Sequence, residues 1–369
     1  MAQSPTIYDV AQAAGVAPST VSRAFARPGR VNSQTAEHIR KVATELGYRA
    51  NRPARALSTH RTAMIALVIS DITNPFYFEI IRGAQDAATT AGYTMLLANT
   101  RESDRLEWEA LERAMSVVDG IVLASSRMSD SAIRMTAKQK PVIVLNRAVA
   151  DVPSVVTDNP RGVRRAAEHL GELMHESITY VAGPEASWAD GMRWRSLLDA
   201  STELHLKVHR IGPFPPTVEG GVRAAEELRA HPTSAVIAYN DLLGIGLMRG
   251  LAAMGARVPN DVSVIGFDNI FATDLVTPGL TTVASPLRAE GTTAVRNLLA
   301  IIGGARSSGQ PVVLPTRLVV RGSTAQRSRE RTSRSTAQRS RERTSPAWGT
   351  TKACGSASKA ATSTEEGSR

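Results

Sequence analysis

From Met64 onward the chain repeats one pattern, a short continuous apolar run followed by an amphipathic stretch of helix length. The runs are "MIALVIS", "YTMLLAN", "GIVLAS", "PVIVLN", "ITYVAG", "SAVIAYN" and "VSVIGF", and between them lie pieces such as Phe76 to Ala91, Arg161 to Met174 and Asp241 to Met254. Unbroken apolar runs of strand length suit strands buried on both faces, and their alternation with helices predicts an α/β body of doubly wound parallel sheets. Such a body of about 260 residues is large for one sheet, so two lobes are expected.

In sheets of this kind ligands bind beyond the carboxyl ends of the strands. The polar residues expected there are Asp71, Asn74, Ser125, Asn146, Arg147, Asp158, Asn159, Asn240, Asp241 and Asp268. Carboxylates and amides in a cleft suit a polyhydroxylated ligand, because each can bond adjacent hydroxyls. Phe76, Trp188 and Phe214 could stack on a sugar ring or a base, though for any one of them the core reading carries more weight.

The N-terminal segment has a different rhythm. In "TIYDVAQAAGVAPSTVSRAF", Thr6 can cap a helix whose Ile7, Val10, Ala11 and Ala14 share one face. Gly15 tolerates the geometry of a tight turn, and Pro18 stands at the start of a second helix, where its missing N–H costs nothing. Val21, Ala24 and Phe25 form that helix's inner face, while Pro18, Ser19, Ser22 and Arg23 are left outward. "NSQTAEHIRKVATELGY" supplies a third helix with Ile39, Val42, Ala43 and Leu46 inward. Two helices crossing through a short turn make a helix-turn-helix, whose second helix can enter a major groove, with Arg23 able to reach guanine bidentately. A three-helix interaction module without DNA is the alternative.

Charge separates the two. The chain has 369 residues and a net charge of +10. Residues 1–61 hold 9 Lys+Arg against 3 Asp+Glu, a net +6; residues 323–369 hold 10 against 4, again +6; the body between is therefore −2. A basic head on a mildly acidic body suggests a polyanionic partner.

Other classes are disfavoured. No "GxxxxGK[ST]", "GxGxxG" or "GxSxG" follows a strand, and nothing pairs a nucleophile with a base, so no catalytic residue is expected. His205 and His209 lie in "LHLKVHR", which alternates like a strand rather than presenting a helical metal pair. One cysteine, Cys354, makes no disulfide framework or zinc cluster, and neither metal nor cofactor is expected. The N-terminus lacks a signal-peptide pattern and no apolar run reaches membrane-spanning length, so a cytoplasmic protein with no membrane partner is expected.

The motifs "TIYDVAQAAGV", "STVSR", "NRPARAL", "DITNPFY", "DGIVL", "YND", "VPNDVSVIGFD", "LTTV" and "LPTRLVVRGS" together resemble the lactose-repressor/galactose-repressor family of bacterial transcriptional regulators. The resemblance runs from about Thr6 to Ser323. It implies a helix-turn-helix DNA-binding domain (1–50), a hinge helix (51–61) and a two-lobed effector-binding and dimerisation domain similar to periplasmic sugar-binding proteins (62–322). It also implies a homodimer, or a dimer of dimers, on a pseudo-palindromic double-stranded operator, acting as a repressor under a carbohydrate effector. Thr6, Tyr8, Thr20, Asn32 and Thr35 fall on phosphate-contacting positions, and Pro18, Ser19 and Arg23 on base-reading ones. Phe76, Asn146, Arg147, Phe214, Asn240 and Asp268 fall near the effector. Ala17 stands where the family often has a capping serine. Asp190 stands where members often place an effector-binding arginine, which leaves the effector role divided between Asp190 and Arg193. A solute-binding protein of a transport system is the runner-up; it accounts for the body and leaves the head unexplained.

"NRPARALSTHRT" links head to body. Asn51 can cap a short helix with Pro53 in its first turn, and so short a helix is stable only when supported. Ala54 and Leu57 can then enter the minor groove, Leu57 wedging a base step while Arg55 and its neighbours hold phosphates; the resemblance places the family's hinge leucine at Leu57. At the other end "STAQRSRERTS" occurs at 323–333 and again at 335–345, too polar to bury a core, so 323–369 is expected to be a disordered basic tail. It is either a passive extension or an aid to nonspecific DNA affinity.

Overall fold

The computed structural model describes residues 5–26, 29–48, 61–307 and 309–327. The expected hinge residues Asn51, Ala54, Arg55 and Leu57, and the tail from 328, lie outside the described residues.

Helices α1 (Ile7–Ala13), α2 (Pro18–Ala26) and α3 (Ser33–Glu45) form the head. Thr6 caps α1 in a full capping box with Asp9: the Asp9 N–H donates to the Thr6 hydroxyl oxygen and the Asp9 carboxylate accepts from Thr6 N. That carboxylate's pKa is held below its usual value by the Thr6 hydrogen bonds. The turn runs through Gly15 at φ +64°, a conformation that costs a glycine nothing. Val10, Ala11, Val21, Ala24, Ile39, Val42 and Ala43 close the head's core. Leu46 corrects the expectation of an inward face: it is 41% exposed, because α3 ends at Glu45 and Leu46 is its C-cap, already turning off the buried stripe.

The body has two lobes. The first contains β1 (Met64–Ile69), α4 (Phe76–Thr90), β2 (Thr94–Asn99), α5 (Asp104–Met115), β3 (Gly120–Ala124), α6 (Asp130–Gln139), β4 (Val142–Leu145) and β5 (Ser154–Thr157). The second follows with α7 (Asn159–Glu172), β6 (Ser177–Val181), α8 (Trp188–Glu203), β7 (Lys207–Ile211), α9 (Val218–Leu228), β8 (Ala235–Ala238), α10 (Asp241–Ala253), β9 (Ser263–Asp268), a 3-10 turn (Phe271–Asp274) and β10 (Thr281–Ala284). The chain then returns to the first lobe for α11 (Leu287–Ile302) and β11 (Val312–Leu314), and crosses again to β12 (Arg317–Val319). Three crossings therefore join the lobes.

Among the described residues each sheet has six strands, in the orders β11-β5-β4-β3-β1-β2 and β12-β10-β9-β8-β6-β7. All pairings are parallel except β10 with β12, a departure from the purely parallel expectation. The antiparallel strand is possible because the last crossing enters the sheet at its edge, where only one neighbour constrains direction. β2 also departs from expectation: as the opposite edge of the first sheet it is half-exposed rather than buried. α4 and α11 approach backbone to backbone through Gly83 and Gly291, where an added Cβ would lie 2.0 Å from the carbonyl oxygens of Arg288 and Ile80 respectively.

The first residues of the expected tail are docked on the body. Ser323 is fully buried, its hydroxyl donating to the Val264 carbonyl (2.6 Å) and accepting from Thr281 N (2.8 Å). Ala325 N donates to Ser263 Oγ, and Arg327 N donates to the Leu173 carbonyl. Residues 323–327 thus form a docked strap on the second lobe; a Ser/Thr-rich segment reads as disordered, but here its hydroxyls complete a lattice of backbone groups.

Candidate functional site

A narrow cleft lies between the lobes at the carboxyl ends of their strands, lined from both sides by polar and aromatic side chains. Of the effector residues expected from sequence, Phe76, Ser125, Asn146, Arg193, Asn240 and Asp268 line it. Ser125 (φ +57°), Asn146 (φ +60°) and Asp268 (φ +105°) all have left-handed backbone at the ends of β3, β4 and β9. Non-glycine residues held this way cost of order 1–3 kcal/mol each and cluster at ligand sites.

Arg193 is the best-anchored group in the cavity. It sits on α8, buried, with its guanidinium carbon 3.5 Å from the centre of the Phe267 ring. Nε donates to Asn159 Oδ1 (3.0 Å), Nη1 to the Tyr239 carbonyl, and Nη2 to Asp268 Oδ1 (3.2 Å). Burial raises the Asp268 pKa to about 7, against the opposing pull of Arg193. Asp241, at the start of α10, lies beside it: fully buried, accepting from Thr282 Oγ1 and Ile270 N, and raised well above the usual carboxylate range by burial and by Asp268.

Four residues expected near the ligand lie elsewhere. Asp190 does not line the cavity; three residues before Arg193 on the same helix, it points into the second lobe, where it accepts from Tyr180 Oη (2.9 Å), Gly183 N (2.7 Å) and Arg210 Nη2 (2.6 Å). It holds the helix that presents Arg193. Arg147 turns away from the cavity, because its guanidinium is captured by the carbonyls of Ser126 and Met128 and by Asp130. Phe214 follows the Gly212–Pro213 bend into the second lobe's core beside Val181 and Ile211, and Pro216 lines the cavity instead. Trp188, on the first turn of α8, does not line it either.

Sequence reasoning missed Tyr77, Glu102, Arg127, Thr157 and Tyr239, which also line the cavity. Glu102 and Arg127 lie three residues beyond the ends of β2 and β3, so a wider window past each strand end would have included them. Asn240 lines the cavity, but its side chain is also the cap of α10, accepting from Leu243 N (2.9 Å). Asn74 similarly accepts from Phe76 N at the start of α4.

In the head, Ser19, Ser22 and Arg23 are exposed on one side of α2, with Pro18 and Thr20 half-buried beside them. Tyr8 is 69% exposed on α1, Asn32 is exposed while capping α3, and Thr35 is half-buried in that helix's first turn. No side chain at Ala17 caps α2; its carbonyl alone accepts from Thr20 N and Val21 N.

Residues 6–51 match the family described as bacterial regulatory proteins, lacI family, and residues 167–324 match a periplasmic binding protein-like domain. The chain is 35% identical to the HTH-type transcriptional regulator DegA of Bacillus subtilis (strain 168), over 87% of this chain and 98% of that protein. The chain belongs to the lacI family. A second lacI-family relative, the ribose operon repressor of Halalkalibacterium halodurans, is 32% identical over 86% of this chain and 97% of its own length. Among solved structures, the lac repressor dimer bound to operator and the anti-inducer ONPF superposes with a TM-score of 0.78 at 25% identity, covering 88% of this chain and all of that one. The CelR–cellobiose complex superposes at 0.65 with 32% identity, over 86% and 99% of the two chains. As a lacI-family protein the chain is a DNA-binding transcriptional regulator controlled by a small ligand, and the transport reading is set aside. No helix among the described residues is long and apolar enough to cross a membrane.

Proposed function

We propose that this regulator is a cytoplasmic, non-catalytic repressor that binds a pseudo-palindromic operator as a homodimer and is controlled by a neutral sugar held between its lobes. The observation that carries the effector reading is the Arg193–Asp268 pair at the cavity base, with Phe76 on the facing lobe. The pair offers a donor and an acceptor side by side, the arrangement that bonds adjacent hydroxyls, while an aromatic ring covers the apolar face of a pyranose or furanose. Relatives point the same way: one is named for a ribose operon and another is solved with cellobiose. In the head, Ser19, Ser22 and Arg23 read base edges while Thr6, Tyr8, Thr20, Asn32 and Thr35 meet phosphates. Exposed Leu275 and the apolar groove lined by Met248, Val258 and Val276 supply surface for a second copy.

A sugar changes DNA affinity only if it binds the two lobe arrangements unequally. The test is a thermal-shift screen against neutral sugars followed by DNA binding with and without the hit. A sugar that raises Tm and changes operator affinity supports the reading; a sugar that raises Tm without changing DNA binding refutes the control it assigns. Arg23→Ala should relax base preference by about 1–3 kcal/mol at one operator position; unchanged preference would remove Arg23 from base reading.

A further inference from the structure

Among the described residues the cavity holds a second ion pair, on the wall opposite Arg193 and Asp268. Arg127, just beyond β3, has a 6% exposed side chain, and Glu102, just beyond β2, lies beside it. Arg127 Nε (2.6 Å) and Nη2 (2.5 Å) both fall on the same carboxylate oxygen, Glu102 Oε2. Among the described residues Arg127 Nη1 and Glu102 Oε1 make no hydrogen bond, so one donor and one acceptor stand next to each other at the cavity wall.

The pair is also held rigidly. Arg127 N donates to the buried Glu107 carboxylate (2.9 Å). Glu102 has left-handed backbone at φ +60°, and its N–H donates to the Ser70 carbonyl (2.9 Å). A glutamate has no local preference for that conformation, so the surrounding structure imposes it.

We propose that Arg127 and Glu102 are specificity-determining residues that read a second pair of adjacent hydroxyls, on the edge of the effector facing away from Arg193 and Asp268. This rests on the sugar-effector reading above. With Nη1 donating to one hydroxyl and Oε1 accepting from the next, each lobe contributes one matched donor and acceptor, and a ring with hydroxyls on both edges bridges the lobes. Each cation in the cavity already has its carboxylate, so the charges of the two pairs cancel. A neutral polyol is therefore favoured over a sugar phosphate or a sugar acid, either of which would bring an anion with no spare cation to meet it.

The test is isothermal titration of the full chain with D-ribose, D-xylose, D-glucose and D-galactose, their monodeoxy forms, and D-glucose 6-phosphate. Arg127→Gln and Glu102→Gln should each weaken the sugar that the wild type prefers by about 10- to 100-fold, the range of a lost hydrogen bond to a charged group. One monodeoxy form should bind wild type and variants alike, because it lacks the hydroxyl that the pair reads. Equal discrimination between sugar and deoxy sugars in wild type and variants would overturn the proposal, as would a preference for the phosphate. If the wild type binds no sugar, the effector reading itself falls, an outcome distinct from loss of specificity alone. Glu102→Gln, at a part-exposed position, and Arg127→Lys, which keeps the charge and loses the fork, separate recognition from folding when each is melted beside the wild type.

Discussion

Phe78 and Phe271 stack between the lobes, ring centroids 6.2 Å apart and planes 16° from parallel, one ring from α4 in the first lobe and one from the 3-10 turn of the second. Both rings are exposed over a large part of their surface, so the contact serves neither lobe's core and instead ties one lobe to the other. A stacked aromatic pair contributes about 0.5–1.5 kcal/mol. Phe271→Ala should therefore shift the closed–open equilibrium toward open by roughly 2- to 10-fold and weaken effector binding to match, with little change in melting of the free protein. Small-angle scattering of the free and ligand-saturated variant checks it, and an unchanged open fraction would remove the latch role.

Arg193→Ala removes a buried cation from beneath Asp268. The loss leaves that carboxylate, together with the Tyr239 carbonyl and the Asn159 amide oxygen, without its donor. Breaking a buried pair by removing one partner costs about 3–5 kcal/mol. Chemical unfolding of the body should show a loss of that order together with loss of ligand binding. Asp190→Asn should destabilise α8 yet leave measurable binding at lower temperature, since Asp190 supports Arg193 without lining the cavity.

Glu290 gives the body a pH dependence. It lies in the first turn of α11, fully buried, with neither carboxyl oxygen within hydrogen-bond distance of a partner among the described residues, and burial together with nearby Asp268 raises its pKa to about 8, against a smaller lowering by Asn146 and Arg193. A carboxyl group whose folded pKa is raised binds its proton more tightly in the folded state. Its contribution to stability is fully present below about pH 4.5 and is lost as pH rises toward about 8. Glu290→Gln keeps the shape and removes the titration, so the variant should be more stable than wild type at pH 8 by on the order of a few kcal/mol and similar near pH 5. Unfolding curves at the two pH values decide it; parallel curves would show that Glu290 does not titrate in this range.

Ala17→Ser restores a side-chain cap to α2. A serine oxygen there can accept an N–H in the first turn of the helix, which in the wild type begins with Pro18 and no side-chain cap at Ala17. The head should gain about 0.5–2 kcal/mol, read as a higher melting temperature of its helical signal.

Much of the fold was legible in the chain because its causes are local. Thr6, Gly15, Pro18 and Asn32 declare helix ends through groups within a few residues, and the apolar runs declare buried strands by their length. The reading failed where a neighbour in space decides. Nothing in "YTMLLAN" says that it will be a sheet edge, and nothing in "GSTAQR" says that Ser263, Val264 and Leu173 will be waiting for its hydroxyls and N–H groups.

The candidate site shows the same division. That polar residues at strand ends converge follows from parallel α/β topology, and Asn146, Asn240 and Asp268 are legible on that ground. The choice between Asp190 and Arg193 turned on three residues of helical rotation, and Arg147 was lost to carbonyls presented by a different loop. Arg127 and Glu102 come from separate strand ends and form a pair only because β1 lies between β2 and β3 in the sheet. The sequence by itself thus determined the elements, their order and the end of the sheets at which a ligand binds, since periodicity and capping act over a turn or two of chain. Which side chains face that ligand was decided by the tertiary structure, because a side chain's direction depends on hydrogen-bond partners tens of residues away.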